Sequence, residues 1–196
     1  MILKIRQAGT QVLRQEARPL TTDEILARST QDLIESMRET MHDAPGVGLA
    51  APQVGHSLQL VVIEDQLEFL QKLPAGQVEE RKRKPVPFHV LINPQLAVIG
   101  SETATFFEGC LSVAGFTAVV PRATKVRVAC LNEKAEPVVI EAEGWYARIL
   151  QHEIDHLHGT LYIDRMNSRS FCTQDNHARY WKDKSIAEVL SAENLG

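Results

Sequence analysis

Apolar residues in the first quarter of the chain recur at helical spacing. Between residues 22 and 42, Ile25, Leu26, Leu33, Ile34, Met37 and Met41 fall near three and four apart, which predicts one amphipathic helix with Thr21 or Thr22 as its N-cap. Ala44-Pro45-Gly46 ends it, because proline disfavours helical backbone in the residue before it, and the glycines of GVGLAAPQVG permit the tight turns of a loop. The period then changes. Runs rich in Val and Ile at residues 58–64, 89–93, 95–99, 103–107 and 124–132 predict strands. Between them, residues 66–88 carry Pro74, Gly76, Pro85, Pro87 and the basic run Arg81-Lys82-Arg83-Lys84, and read as a surface excursion. Beside Glu79 and Glu80 those four cations are taken as a solvated loop rather than a phosphate patch. Helical spacing returns after Gly144, where Trp145, Ile149, His152 and His156 succeed one another and Gly159 can end the run. A short strand at 161–164 and a weak amphipathic stretch at 184–190 follow. The pattern predicts an α+β fold, antiparallel strands around one central helix.

Length and charge narrow the picture further. A chain of 196 residues with 44% hydrophobic content fits one domain over 1–196, with 66–88 as its excursion and 184–196 as a C-terminal tail. A formal charge of −4 offers no global attraction to nucleic acid or an anionic membrane, and no apolar run approaches the roughly 18 residues of a membrane span. Three cysteines, Cys110, Cys130 and Cys172, cannot form a disulfide framework without leaving one over, so a reducing cytosol or organelle matrix is expected. The N-terminal segment lacks a signal-peptide core, which favours a bacterial cytoplasmic protein.

Candidate chemistry centres on His152-Glu153-Ile154-Asp155-His156. Histidines at i and i+4 lie on one helical face and can share a metal ion, and Glu153 between them lies within reach of water on that ion. Random placement at this composition yields roughly 0.02 such matches, so two chance histidines on an amphipathic helix are the weaker reading. A catalytic site needs a third ligand. Gly159 keeps the register of a longer metalloprotease motif, but Tyr162 stands where its third histidine would be. His158 points to another side of the helix, and Asp164, past the helix end, stays open. Cys110, in Glu108-Gly109-Cys110-Leu111-Ser112, is the other candidate, because thiolate binds Zn²⁺ or Fe²⁺ well, although a lone cysteine among apolar neighbours is more often inert.

Three segments in order, Gly46-Val47-Gly48-Leu49-Ala50-Ala51-Pro52-Gln53, Glu108-Gly109-Cys110-Leu111-Ser112 and Gln151-His152-Glu153-Ile154-Asp155-His156, resemble the peptide deformylases. The resemblance runs from Val12-Leu13-Arg14 through Val120-Pro121-Arg122 to Leu161-Tyr162-Ile163-Asp164-Arg165. It implies metal-dependent hydrolysis of the N-formyl group from N-formylmethionyl peptides. Cys110, His152 and His156 would hold the metal, Glu153 would be the general acid/base, and Gln53 with the backbone N–H of Leu111 would face the developing oxyanion. A metal makes water acidic enough to attack near neutral pH, and a positioned carboxylate can carry its proton to the departing amine. Val47, Trp145 and Ile149 would border the methionine pocket, with core packing an equal alternative. Backbone groups of Gly46, Gly48 and Gly109 would bind the peptide as a strand. Arg122 would brace Glu108, or else be solvated on the surface.

The resemblance further implies Fe²⁺ in cells, with Zn²⁺, Ni²⁺ or Co²⁺ able to occupy purified protein. Ala114 stands where many members have proline, and Val113-Ala114-Gly115-Phe116 with Gly144-Trp145 look like the mitochondrial and plant subgroup. A transient ribosome contact through residues 184–190 is left open. Three alternatives also stand: a zinc endopeptidase with Asp164 as third ligand, a deformylase-like protein with another formyl substrate, and a metal or peptide-binding module without turnover, which Glu153 argues against.

Overall fold

A computed structural model describes residues 1–192, so the last four residues of the expected C-terminal tail lie outside the described residues. The single helix expected over 22–42 is two, α1 (Thr22–Leu26) and α2 (Arg28–Asp43), because Ala27 between them is extended at φ −64°, ψ 140°. Thr21 and Glu24 close a reciprocal capping box at the start of α1, and the Gln31 side chain donates to the Ile25 carbonyl near the break (2.7 Å). The break leaves the core face intact, since Ile25, Ile34, Met37 and Met41 are all buried. Apolar spacing alone therefore read straight across it.

Strands β1 (Gly48–Ala50) and β2 (Leu60–Asp65) follow, then short helices α3 (Leu67–Gln71) and α4 (Ala75–Glu80). Next come β3 (Val86–Val98), β4 (Thr103–Cys110), β5 (Val113–Ala123), β6 (Lys125–Leu131) and β7 (Pro137–Glu143). These lead into α5 (Gly144–Leu157), and the chain continues through β8 (Cys172–Thr173), α6 (Gln174–Tyr180) and α7 (Ile186–Ala192). One sheet has the order β1-β2-β3-β6-β7 and the other β4-β5-β8, with every strand pair antiparallel. This is the expected α+β class.

Helix α5 lies against the larger sheet. Strand β2 reads Leu-Val-Val-Ile because both of its faces are covered: Val61 and Ile63 pack with Leu150 and Ile154 of α5, and Leu60 and Val62 with Met37 and Met41 of α2. Polar links tie α5 to the smaller sheet, where Arg148 donates to the carbonyls of Val120 (2.8 Å) and Ala104 (2.7 Å). Two residues past the end of α5, Gly159 turns the chain away at a φ of +67° that suits glycine, where a Cβ would lie 2.7 Å from the Arg14 carbonyl carbon.

Several expected elements differ. The strands at 89–93 and 95–99 are one, β3, interrupted by a register shift between Ile92 and Gln95, where the Asn93 side chain exchanges two hydrogen bonds with the Leu20 backbone (2.9 and 2.8 Å). Four strands carry no expected run: β1 and β8 are only two or three residues long, Gly115 and Pro121 disguise β5, and β7 alternates plainly, with Ala142 buried and Val139 exposed. The strand expected at 161–164 is a 3₁₀ turn, Tyr162–Asp164, because the Asp164 carboxylate accepts the Leu161 N–H (2.8 Å) and pairs with Arg14. The basic run of the excursion is solvated only at Lys82 and Lys84. Arg83 makes two 2.7 Å bonds to the buried Asp65 carboxylate, and Arg81 accepts the Trp145 N–H at its carbonyl (2.9 Å) while its guanidinium lies 4.9 Å from the Trp145 ring centroid. The excursion thus buttresses the start of α5.

Candidate active site

Cys110 ends β4, where the hairpin to β5 begins, and faces the middle of α5. Its Sγ and one ring nitrogen from each of His152 and His156 all lie within 4.8 Å of one another, with Sγ 3.4 Å from His156 Nε2. Among the described residues this is the one group of its kind. The donor set suits a single divalent transition metal, a soft sulfur with two imidazole nitrogens. Burial disfavours charge on both histidines: it holds the His156 pKa well below the ordinary value, while the Cys110 sulfur and the Glu108 carboxylate raise that of His152 well above it. Asp164 is held elsewhere by Arg14, and His158 lies exposed near Glu16, so neither joins the group.

Behind the histidines sits a buried ionic network. Glu108 accepts two 2.9 Å bonds from Arg122, a 2.6 Å bond from Arg148 and a 2.9 Å bond from His152 Nδ1. The His152 contact leaves Nε2 as the ligating nitrogen and fixes the ring. Burial alone would raise the Glu108 pKa, but its bonds to His152 and Arg122 hold it far below the carboxylate range. Arg122 continues to Asp155 (2.5 Å), three residues beyond His152. The brace expected between Arg122 and Glu108 is present, and its surface alternative is corrected, since Arg122 is only 4% exposed. Tyr162, read as standing in a lost histidine's place, packs its ring against His152 instead, 6.3 Å between centroids.

Glu153 is the one acidic group in the cleft left without a stabilising partner. Its Oε2 is buried with no hydrogen-bond partner, and burial pushes its pKa up to about 7, against a smaller opposing effect of His152. Room for it comes from Gly48. A Cβ there would lie 2.5 Å from Glu153 Cδ and closer still to Oε1. Gly48→Ala must therefore push the carboxyl aside. Because Glu153 Cγ would also lie 2.6 Å from that Cβ, the whole end of the side chain must move, and we expect roughly a 100-fold fall in kcat with metal content retained. Steady-state kinetics with metal analysis checks this.

Gln53 is only 1% exposed. Its Oε1 accepts the Ala50 N–H (2.8 Å), while Nε2 donates to Ser112 Oγ (3.2 Å) and reaches within 3.5 Å of Cys110 Sγ. The amide is thereby held with its donor toward the metal group. Leu111 follows Cys110 in the same hairpin, its carbonyl accepting from Gln7 Nε2 (2.9 Å).

These groups line one cleft of about 530 Å³. Gly46, Val47 and Gly48 form one wall, Gly109, Cys110 and Leu111 the other, and Trp145, Ile149, His152 and Glu153 of α5 the floor. His156 belongs to the metal group but not to the cleft surface. Val47, Trp145 and Ile149 serve both roles, lining the cleft and packing in the core beside α5. Sequence reasoning missed Arg148 and Ser112. Arg148 was legible in principle, four residues before His152 on the same helix face. Ser112, held by a hairpin and a side-chain amide, left no periodic signal.

A thiol, two imidazoles and an unpaired carboxyl group at the base of a peptide-sized cleft define a class, a candidate mononuclear metallohydrolase site on an α+β frame. Comparison narrows it. Residues 2–171 match the family model described as polypeptide deformylase. Peptide deformylase 3 of Streptomyces avermitilis is 47% identical over 193 residues, covering 97% of this chain and 83% of that protein. Chloroplastic peptide deformylase 1A of Solanum lycopersicum is 46% identical over 172 residues, covering 88% of this chain, which spans 62% of the plant protein's length. Among solved structures, a class I type b peptide deformylase from Acinetobacter baumannii with Met-Ala-Ser bound superposes with a TM-score of 0.75 at 31% identity, covering 85% of this chain and 99% of that one. The chain belongs to the polypeptide deformylase family, a family of metal-dependent amidohydrolases.

Proposed function

We propose that this chain hydrolyses the N-formyl group from the formylmethionine at the start of nascent polypeptides, releasing formate. The observation that carries the reading is the buried carboxyl of Glu153, with one oxygen unpartnered, beside a Cys–His–His group at the base of a cleft. Fold and comparisons favour this over an endopeptidase, whose third ligand, Asp164, is committed to Arg14.

Cys110, His152 and His156 would hold the metal, which when bound acts as a Lewis acid and lowers the pKa of water toward neutrality. Glu153 accepts the proton released from the attacking water and returns it to the departing methionine amine. Gln53 Nε2 and the Leu111 N–H donate to the formyl oxygen as negative charge builds on it: Ala50 and Ser112 fix the Gln53 amide plane, and its second N–H, directed at Cys110 Sγ in the free protein, turns to that oxygen. Trp145, Ile149 and Val47 enclose the methionine side chain, while the backbones of Gly46, Gly48 and Gly109 pair with an extended peptide between the two walls. The Acinetobacter protein's bound Met-Ala-Ser has the chemistry of a product of this reaction, and it supports the same occupant here.

Mass analysis of the products tests the reading. Formyl-Met-Ala-Ser should yield formate and intact Met-Ala-Ser; cleavage to formyl-Met and Ala-Ser would mark an endopeptidase.

For the metal we propose Fe²⁺ in cells, with Zn²⁺, Ni²⁺ or Co²⁺ able to replace it. A thiolate on iron at an open cleft is exposed to oxidation, so the Fe²⁺ form should lose activity in air faster than the Ni²⁺ or Co²⁺ forms. Equal half-lives for the three forms would contradict this. No helix among the described residues is long and apolar enough to cross a membrane. The bacterial cytoplasm or an organelle matrix is the proposed compartment, in keeping with bacterial, chloroplastic and mitochondrial relatives.

A further inference from the structure

The family model matches only to residue 171, but the chain beyond it, which also aligns with full-length relatives such as the Streptomyces avermitilis protein, returns to the cleft. Strand β8 pairs with the start of β5, Phe116 opposite Thr173 and Thr117 opposite Cys172, and places Gln174 on the cleft wall formed by Gly109. Anchors stand three residues to either side of it. Phe171 stacks on Phe116 with centroids 5.0 Å apart and planes 8° from parallel, and the His177 ring meets the edge of Phe107 at 4.5 Å. The Thr173 hydroxyl accepts the Asn176 N–H (3.2 Å), which fixes the turn between them. Exposed as it is, Gln174 is therefore carried by a well-tethered backbone. Its Nε2 would lie 3.8 Å from a Cβ built on Gly109, ordinary contact distance, so the amide stands directly beside that glycine of the cleft wall.

Resting on the deformylase reading, we propose that Gln174 binds the backbone of the peptide beyond its methionine, and so makes turnover depend on substrate length. The cleft is graded in this sense. Gln53 and Glu153 at its base are 1% and 5% exposed, whereas Gln174 is open to solvent at the rim. A chain whose formyl group reaches the base passes the rim with its later residues. A carboxamide suits that task, because it both donates and accepts and so complements a peptide group whatever side chain it carries. New polypeptides differ in sequence after the first residue, and a contact made to the backbone serves them all.

The test compares kcat/KM for formyl-Met-Ala-Ser with that for N-formylmethioninamide, which lacks the later residues. In wild type the longer substrate should be favoured. In Gln174→Ala the ratio of the two should fall by about three- to tenfold, the worth of one neutral hydrogen bond, chiefly through KM. Asp175→Ala, a neighbouring exposed change, should keep the wild-type ratio. If Gln174→Ala leaves the ratio unchanged, or lowers both substrates equally, Gln174 does not contact the later residues. If wild type releases formate from neither substrate, the deformylase reading fails and this assignment falls with it.

Discussion

Glu153→Ala is expected to keep its metal and lose about 10²–10⁴-fold in formate release, the range that a positioned general acid/base contributes. The argument is geometric. Glu153 follows His152 directly on α5, so it lies beside the metal group without belonging to it, and Gly48 is the neighbour that lets it stand there. The same change should not weaken the fold. A buried carboxyl with an unpartnered oxygen opposes folding, so its removal is expected to leave the thermal midpoint unchanged or higher. A stable, metal-loaded, inactive variant would separate catalysis from architecture. A variant of near wild-type turnover would transfer the proton to some other group.

Cys110→Ala should behave differently, with metal content falling from about one ion per chain to near zero and turnover falling with it. Two imidazoles alone leave the site short of the three protein ligands that catalytic centres of this kind use. The buried network around Glu108 should survive, since Arg122, Arg148 and His152 engage it without Cys110. Far-UV circular dichroism should therefore match wild type while elemental analysis does not. Asp164→Ala provides the contrast. It should spare the metal, because that carboxylate answers to Arg14 and the Leu161 N–H. Metal retained in Cys110→Ala and lost in Asp164→Ala would reverse the ligand assignment.

Much of the architecture is legible in the sequence. Helix α5 announced itself because apolar and chemical residues shared one period, and β2 because a strand covered on both faces reads as an unbroken Val/Ile run. Motif order brought together Gln53, Cys110 and His152, positions scattered along the chain. Other features were hidden for physical reasons. The break at Ala27 costs no core contact, so periodicity passes over it. Strand β5 carries Gly115 and Pro121, each a local signal against a strand, and is held by its pairing with β4 instead. Arg148 shares the helix face of His152, but its partners Glu108, Val120 and Ala104 lie on the smaller sheet, which helical spacing does not name. Gln174 carried no signal at all. Its place in the cleft depends on a two-residue strand and two aromatic contacts that only the folded chain reveals.

Formate released from formyl-Met-Ala-Ser by anaerobically purified protein, measured before chelation, after it and after metal is restored, tests the central claim most directly. The account requires many turnovers with one formate per peptide, loss on chelation and recovery on adding Fe²⁺ or Ni²⁺. No formate from fully metal-loaded protein, or release that chelation leaves untouched, would contradict it.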